Sequence, residues 1–569
     1  MTRILGSDRR TTRLIAGAVL LVTAMLAAAC GSGGSGGNQT DGQTSGTLAP
    51  DVTVTPAGEV KTGNKLVYGV EAETSGFDPT NDRWAASGVL IAYAIYDPLA
   101  AYDADGNLRP YLAESFTPND NFTKWTIKVR PNITFHNGSP LNGAAVAGAL
   151  NAIRASTLAG GALRNVTDVT VPSSDPMSVV VTMRNPWASF PAVLVAQAGV
   201  VPAPEQLNAT GEAKSRQPIG TGPFVFRQWI PDKSFVASRN PNYWMRDAEG
   251  RQLPYLNEVE FRPIPDVQTR VSALESRDVN MMHTTDTLTI AQLKRKAELG
   301  EIQVVQDRGE NEETFVMFNT SKPPFDNVTA RRAVAYAVDY ESYRNTFEIP
   351  PELAADSAFG KGSPYYVDSG FPTYDPERAR QLVQQYEAET GEKLTFTLGT
   401  TPVPVNQQAA TLIAGFCEAV GMKVSVQATE QGKFIADAVT GNYQANLWRQ
   451  FSSIDPDGDY VWWHESNVTD PISLNIARFK NRELSEALDK ARASNDPAVR
   501  KEQYAIVQRI WADQVPYVWL TTTTWVIAAE NDVRNLGNVA LPDAQGVANI
   551  PSIPFQSGTS RLTMTWVDR

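Results

Sequence analysis

Three strand-like runs set the stretch from Leu394 to Asp459: Leu394-Thr-Phe-Thr-Leu398, Lys423-Val-Ser-Val-Gln427 and Tyr443 to Trp448. The last leads into the loop Trp448-Arg-Gln-Phe-Ser-Ser-Ile-Asp-Pro-Asp-Gly-Asp459. The first two alternate apolar and polar residues, the period of a strand. Between them, Gln407 to Val420 places Ala410, Ile413, Ala414, Cys417 and Val420 at helical spacing, and Gly421 is a good stop. A second helical segment runs from about Gln431 to Val439. Strand, helix, strand, helix, strand in short steps predicts a parallel α/β sheet. Ligands of such sheets sit outside the carboxyl ends of the strands. The loops Gly399 to Asn406 and Arg449 to Asp459 occupy those ends. The second is flanked by Trp448, Tyr460, Trp462 and Trp463 and carries Phe451, Asp455 and Asp457, a candidate ligand wall. The competing reading makes the aromatics core and the acids a solvated turn.

With 569 residues, the chain is too long for one core and predicts two to four lobes. Hydrophobic content of 42% and charged content of 20% are ordinary for a globular protein. A net charge of −12 argues against nucleic acid or an anionic membrane face as partner. Two cysteines and three scattered histidines (His136, His283, His464) supply neither a disulfide framework nor a cysteine- or histidine-based metal centre.

The amino terminus is modular. Met1 to Arg13 is basic, Leu14 to Leu26 is apolar, and Ala27-Ala-Ala-Cys30 follows. Charged, apolar, small is the order of a secretory signal. The apolar run is too short to span a bilayer, which takes about 20 residues. The cysteine after small residues resembles a bacterial lipobox, which implies a signal peptide over 1–29 and a diacylated Cys30. Leu26 lies four before the cysteine, where three is usual in that signal. The alternative is an ordinary secreted protein with an incidental cysteine. Arg9-Arg10 has no apolar residues directly after it, so twin-arginine export finds little support. Gly31 to Gly63 is Gly, Ser, Thr, Gln and Asp with almost no large apolar residue, a tether reaching roughly 30 Å.

The body begins near Lys65, with Lys65-Leu-Val-Tyr-Gly69 as a strand and Trp84 to Tyr96 as a helix. Trp125-Thr-Ile-Lys-Val-Arg130 alternates clearly, and Phe135-His-Asn-Gly-Ser-Pro140 closes it; His136 reads there as a turn hydrogen-bonder. Pro218-Ile-Gly-Thr-Gly-Pro-Phe224 lacks Gly-Lys-Ser/Thr and precedes a strand, so it is a tight turn or hinge rather than a phosphate loop. Phe315-Val-Met-Phe-Asn319 is an apolar strand. Asp326, Asp375 and Asp496 are helix caps, the last two with proline at the first helical position and Gly391 beyond the end of the second helix. Val499, Val507, Ile510 and Trp511 form the inward stripe of the third.

Several of these motifs in this order resemble solute-binding protein family 5, the extracytoplasmic oligopeptide-, dipeptide- and nickel-binding proteins of ABC importers. They are Leu112-Ala-Glu-Ser115 with Trp125–Arg130 and Phe135–Ser139, Pro218–Phe224, Asn240-Pro-Asn-Tyr-Trp244, Phe318-Asn319 with Pro324-Phe-Asp326, and Tyr374-Asp-Pro376. The resemblance covers about Lys65 to Arg569. It implies an α/β periplasmic-binding-protein fold of the second type. Lobe I would comprise 63–96, 227–317 and 526–569, lobe II 97–226 and lobe III 318–525, with lobes I and III closing as a clamshell. It also implies a monomer that hands a peptide or small solute to permease subunits. Dipeptide-binding relatives place an acid three residues before an Asp-Pro-Asp triplet to pair with the ligand's amine; Ser452 stands there before Asp455-Pro456-Asp457. They place an arginine for the ligand carboxylate in the loop matching Thr400 to Asn406, which here has no cation. The candidate ligand-binding residues are Trp84, Trp448, Phe451, Ser452, Asp455, Asp457 and Trp463.

Other chemistries fare worse. Asp455, Asp457 and Asp459 mimic a calcium loop, but position six is Tyr460 and position twelve is Ser466. His464-Glu465 lacks the second histidine of a zincin, and the Gly-x-Ser-x-Gly match at Gly33 to Gly37 lies in the tether, where it makes no strand-to-helix elbow. Cys417 lies on an apolar helix stripe, as core. The expectation is therefore a lipid-anchored, extracytoplasmic receptor with no catalytic residue, cofactor or metal. A secreted hydrolase on the same scaffold and a non-transport receptor for envelope lipids or glycans are the alternatives.

Overall fold

The Leu394–Asp459 stretch folds as strand Thr395–Thr400, helix Pro404–Glu418, strand Lys423–Ala428, helix Gln431–Thr440 and strand Ala445–Gln450. This computed structural model describes residues 52–53, 58–307, 312–451, 453–537, 539–553 and 555–569. The signal peptide, Cys30, residues 31–51 and 54–57 of the tether and Ser452 lie outside the described residues, while Val52–Thr53 pairs antiparallel with Val305 and Val304.

Thr395–Thr400 pairs in parallel with both of its partners in that stretch. The sheet is nevertheless mixed. Glu313–Phe318 runs antiparallel to Ala445–Gln450 and to Tyr517–Thr522, giving five strands. Those two strands come from either side of the stretch, so local periodicity carries no trace of their pairing. The expected division between residues 317 and 318 cuts through the Glu313–Phe318 strand, whose hydrogen bonds assign it to this sheet.

A second sheet has eight strands and draws on three distant segments. Lys65–Val70 lies parallel to Glu258–Pro263 on one side and Met281–Thr284 on the other. Val526–Ala529 inserts antiparallel between Met281–Thr284 and Gln303–Gln306. The expected division at 226/227 falls inside strand Phe224–Ile230, which pairs with Ser234–Arg239 at the opposite edge. The chain thus passes to the five-stranded sheet after Gln306 and returns between Thr522 and Val526. A third, four-stranded antiparallel sheet (Ala113–Pro118, Lys124–Val129, Ser178–Met183, Val166–Thr170) has its own core around Ile127, Val146, Leu150 and Trp187.

The local signals act as sequence chemistry dictates, with two exceptions. Asp375 and Asp496 accept hydrogen bonds from the backbone N–H groups of Arg378 and Ala498, at 2.9 and 2.8 Å. Gly391 takes the left-handed conformation that ends its helix. The cap expected at Asp326 is Asn327 instead, whose side chain accepts from Thr329 N–H at 2.7 Å. Val499 is 37% exposed, because it lies on the first turn of its helix and only the later stripe reaches the core. The Pro218–Phe224 turn is glycine-rich because of a close approach: a Cβ on Gly220 would stand 2.1 Å from the carbonyl oxygen of Ile95. Buried Asp97 then ties this turn to the next motif. It accepts from Thr221 Oγ at 3.1 Å, Tyr243 OH at 3.1 Å and Trp244 Nε1 at 2.9 Å. His136 accepts Gly220 N–H on Nδ1 at 3.3 Å, so Nε2 carries the proton donated to the Gly222 carbonyl at 3.0 Å. Burial drops its pKa to about 4. Among the described residues no helix is long and apolar enough to cross a membrane.

Candidate functional site

The carboxyl ends of strands from the two large sheets meet at Arg449. Strand Ala445–Gln450 delivers this arginine, and Lys65–Val70 and Met281–Thr284 end just before Glu71 and Thr285. Arg449 pairs with Glu312 at 2.8 Å and Glu71 at 3.1 Å, and donates to Thr285 Oγ at 2.8 Å. Its guanidinium carbon stands 4.7 Å from the centre of the Trp525 ring, and Trp525 Nε1 donates to Glu312 at 2.6 Å. Glu312 and Trp525 lie on the two segments where the chain crosses between the sheets.

One cation between two carboxylates leaves the cluster a unit negative. Burial would raise the Glu71 carboxyl, but nearby cations, Arg449 above all, outweigh it and hold the pKa below its ordinary value. At Glu312 burial wins and the pKa is raised. The Glu71 N–H donates to His283 Nε2 at 3.1 Å, and His283 Nδ1 donates to Gly558 O at 2.7 Å. Full burial holds this imidazole neutral, with a pKa of about 4.

Beside the cluster is an aromatic wall. Glu313 lies opposite Gln450, and Phe315 opposite both Trp448 and Trp519. Directly opposed residues share a face of the sheet. Phe451 stacks on Phe315 with ring centres 5.1 Å apart and a 2° tilt, and Trp463 meets Phe451 edge-on at 5.3 Å. Phe451 reaches this position through φ of +73°, a left-handed conformation unfavourable for a bulky residue by about 1–2 kcal/mol. Trp448 packs on Phe434 at 5.2 Å and donates to Gln450 at 2.9 Å.

Four polar groups on or above this face are buried with no hydrogen-bond partner among the described residues: both oxygens of Glu313, Trp463 Nε1, Trp519 Nε1 and Asn446 Nδ2. Burial, reinforced by Asp459 and Glu312, pushes the Glu313 pKa well above the carboxylate range. Asp459 accepts the Ser453 N–H at 3.1 Å, yet burial still lifts its pKa to about 7.

Of the expected ligand residues, Trp448, Phe451 and Trp463 come together here, Phe451 and Trp463 as buried members of the core and Trp448 half-buried. Asp455 is held by two donors of Arg500, one at 2.9 Å, and Asp457 by Arg492 at 2.7 Å and Ser189 Oγ at 2.7 Å. Trp187 also donates to Asp457, so this acid joins the four-stranded sheet's core to helix Arg482–Arg492. Trp84 donates to Gly76 O at 2.9 Å and stacks on Tyr96, and its neighbour Arg83 lies over the Trp462 ring. The sequence reading passed over Glu71, Glu312, Glu313 and the pairing of Arg449. Two adjacent acids opening the apolar Phe315–Phe318 run were the available signal.

Comparison with known proteins gives the family and the fold. The family model for bacterial extracellular solute-binding proteins, family 5 Middle, matches residues 107–470. The glutathione-binding protein GsiB of Escherichia coli (strain K12) is 25% identical over 506 residues, spanning 84% of this chain and 92% of its own. Among solved structures, DppA from Helicobacter pylori in complex with peptide STSA superimposes with a TM-score of 0.77 at 22% identity, covering 90% of this chain and 99% of that one. AppA from Bacillus subtilis, in complex with a nonapeptide, gives 0.75 at 20% identity, with 90% and 100% covered. The fold is the type II periplasmic-binding-protein fold, α/β in class.

Proposed function

Because the chain belongs to the bacterial extracellular solute-binding proteins of family 5, we propose that it captures a peptide-class solute at the Arg449 cleft and delivers it to ABC importer permease subunits. It acts as a monomer anchored outside the cytoplasm through a lipid on Cys30, and it makes or breaks no bond. Lobe I is built on the eight-stranded sheet, lobe II on the four-stranded and lobe III on the five-stranded; lobes I and III close on the solute. The observation that carries this reading is the meeting of the strand ends of two sheets at Arg449, Glu71 and Thr285, beside the aromatic wall. Binding works here by population: the solute favours the closed arrangement, and the permease recognises that arrangement. Peptides and glutathione named for relatives support the solute class.

The free ends of a small dipeptide are not what this cleft reads. Residues 400–406 hold no cation, and Arg449 is already shared by two carboxylates. Asp455 and Asp457 are engaged by arginines. A buried ammonium or carboxylate left without its partner loses about 2–5 kcal/mol. Longer, blocked or modified peptides, held by backbone and by stacking on the aromatic wall, fit better. Native mass spectrometry of the protein as purified is expected to show a co-purified solute of this kind. Calorimetry should then give weak or no binding of unmodified dipeptides, and X-ray scattering a smaller radius of gyration with the bound solute. Sub-micromolar binding of a dipeptide that is lost on acetylating its amine would overturn the end-independent reading.

A further inference from the structure

The far end of the five-stranded sheet holds a second site. Strand Glu313–Phe318 ends where Ala445–Gln450 begins, since Phe318 lies opposite Ala445. The pocket therefore lies at the end of the sheet away from Arg449. It opens to solvent with a volume of about 540 Å³, within the range of small-molecule sites. Its charged lining is Lys322, Arg331, Arg478 and Lys480 against Asp326 and Asp470. Four cations around one hollow is an unusual concentration in a chain of net charge −12.

None of these cations is in a direct ion pair among the described residues, although Asp326 and Asp470 share the lining and Asp326 acts on Arg331, leaving a net of two positive charges. Arg478 donates to Val439 O at 3.0 Å, and Lys322 Nζ to Gly441 O at 2.5 Å. Arg331 donates to Gln514 O at 2.8 Å and Phe325 O at 2.7 Å. Carbonyl oxygens satisfy N–H groups and fix their direction, but they cancel no charge. The carboxyl end of helix Gln431–Thr440, to which Val439 and Gly441 belong, contributes only about half a negative charge. Arg331 and Arg478 are buried, so their side chains are already ordered before anything binds.

We propose that this pocket binds a phosphate-class anion. A phosphate brings several acceptor oxygens and one charge as a diester or about two as the free ion, which suits lysine and arginine side chains gathered around one hollow. The phosphate belongs either to a free ion or to the headgroup of an anionic lipid, and the two are separable. The test is calorimetry on the full chain at low ionic strength, with inorganic phosphate in one arm and glycerophosphoglycerol, the water-soluble headgroup of an anionic lipid, in the other. Saturable binding is expected in at least one arm, and the tighter arm identifies the source. Lys322 and Lys480 are exposed, so Lys322→Gln with Lys480→Gln should keep the melting temperature while weakening the anion roughly tenfold or more. Lys322→Arg with Lys480→Arg should retain binding. Removing two remote surface charges with Lys124→Gln and Lys393→Gln should leave affinity unchanged. Absence of saturable binding in both arms, or equal loss in the pocket and remote variants, would overturn the site.

Discussion

Asp459 is a carboxyl group set where ionising is unfavourable. It is 4% exposed, and burial raises its pKa from 3.8 to about 7. A raised folded pKa means the charged form is disfavoured by folding, so stability is greatest below the unfolded value near 4. It declines as pH rises from about 4 to about 7 and stays lowered above that. The gap corresponds to at most about 4 kcal/mol. Asp459→Asn removes the ionisation while keeping the shape. The variant should match the parent near pH 4 and exceed it by about 2 kcal/mol above pH 7, read from thermal melts across that range. A parallel pH dependence in both proteins would show that Asp459 ionises freely. Glu313 shares the same environment.

At the scale of elements, close approach explains more than loop flexibility does. Gly220→Ala would drive a methyl group to 2.1 Å from Ile95 O, at the end of helix Ala86–Ile95. We expect a loss of about 2–4 kcal/mol, measured by urea unfolding, because a backbone atom cannot turn aside as a side chain can. The same variant should leave solute affinity at saturating protein stability unchanged, since the turn lies apart from Arg449. Elements were legible in sequence wherever the determinant was local. Asp375 with Pro376, Asp496 with Pro497 and the strand–helix alternation from Leu394 to Gln450 each carry their signal within one turn or one strand. Asn327 displaced Asp326 as cap because the two neighbours are both competent and the approach of the chain after Phe325 decides between them. The acidic loop misled in a different way. Asp455 and Asp457 look free in sequence because their partners Arg500 and Arg492 lie 45 and 35 residues further along the chain. The aromatic wall was legible as a composition, and its position beside Arg449 became visible only with the pairing of Glu313–Phe318.

At the scale of the whole molecule, the anchor is the sharpest expectation. Cys30→Ser should move the protein from the membrane fraction to the medium, assayed by fractionation and immunoblot. Retention on the membrane to the same extent would place the anchor elsewhere. The lipid expected on Cys30, joined to a chain of net charge −12, would suit a receptor kept near its permease without adhering to an anionic surface.

The eight-stranded sheet also sets a clock. Val526–Ala529 lies between Met281–Thr284 and Gln303–Gln306, so residues separated by more than two hundred positions must meet before the middle of that sheet exists. Contacts of such long sequence separation form late and slowly. Lys65–Val70 pairs with Glu258–Pro263 across nearly as long a stretch of chain, and the sheet stays divided between Met281–Thr284 and Gln303–Gln306 until Val526–Ala529 joins them. Were the chain exported unfolded, as its charged, apolar, small amino-terminal order predicts, a sheet closed by Val526–Ala529 would stay open until that strand had crossed.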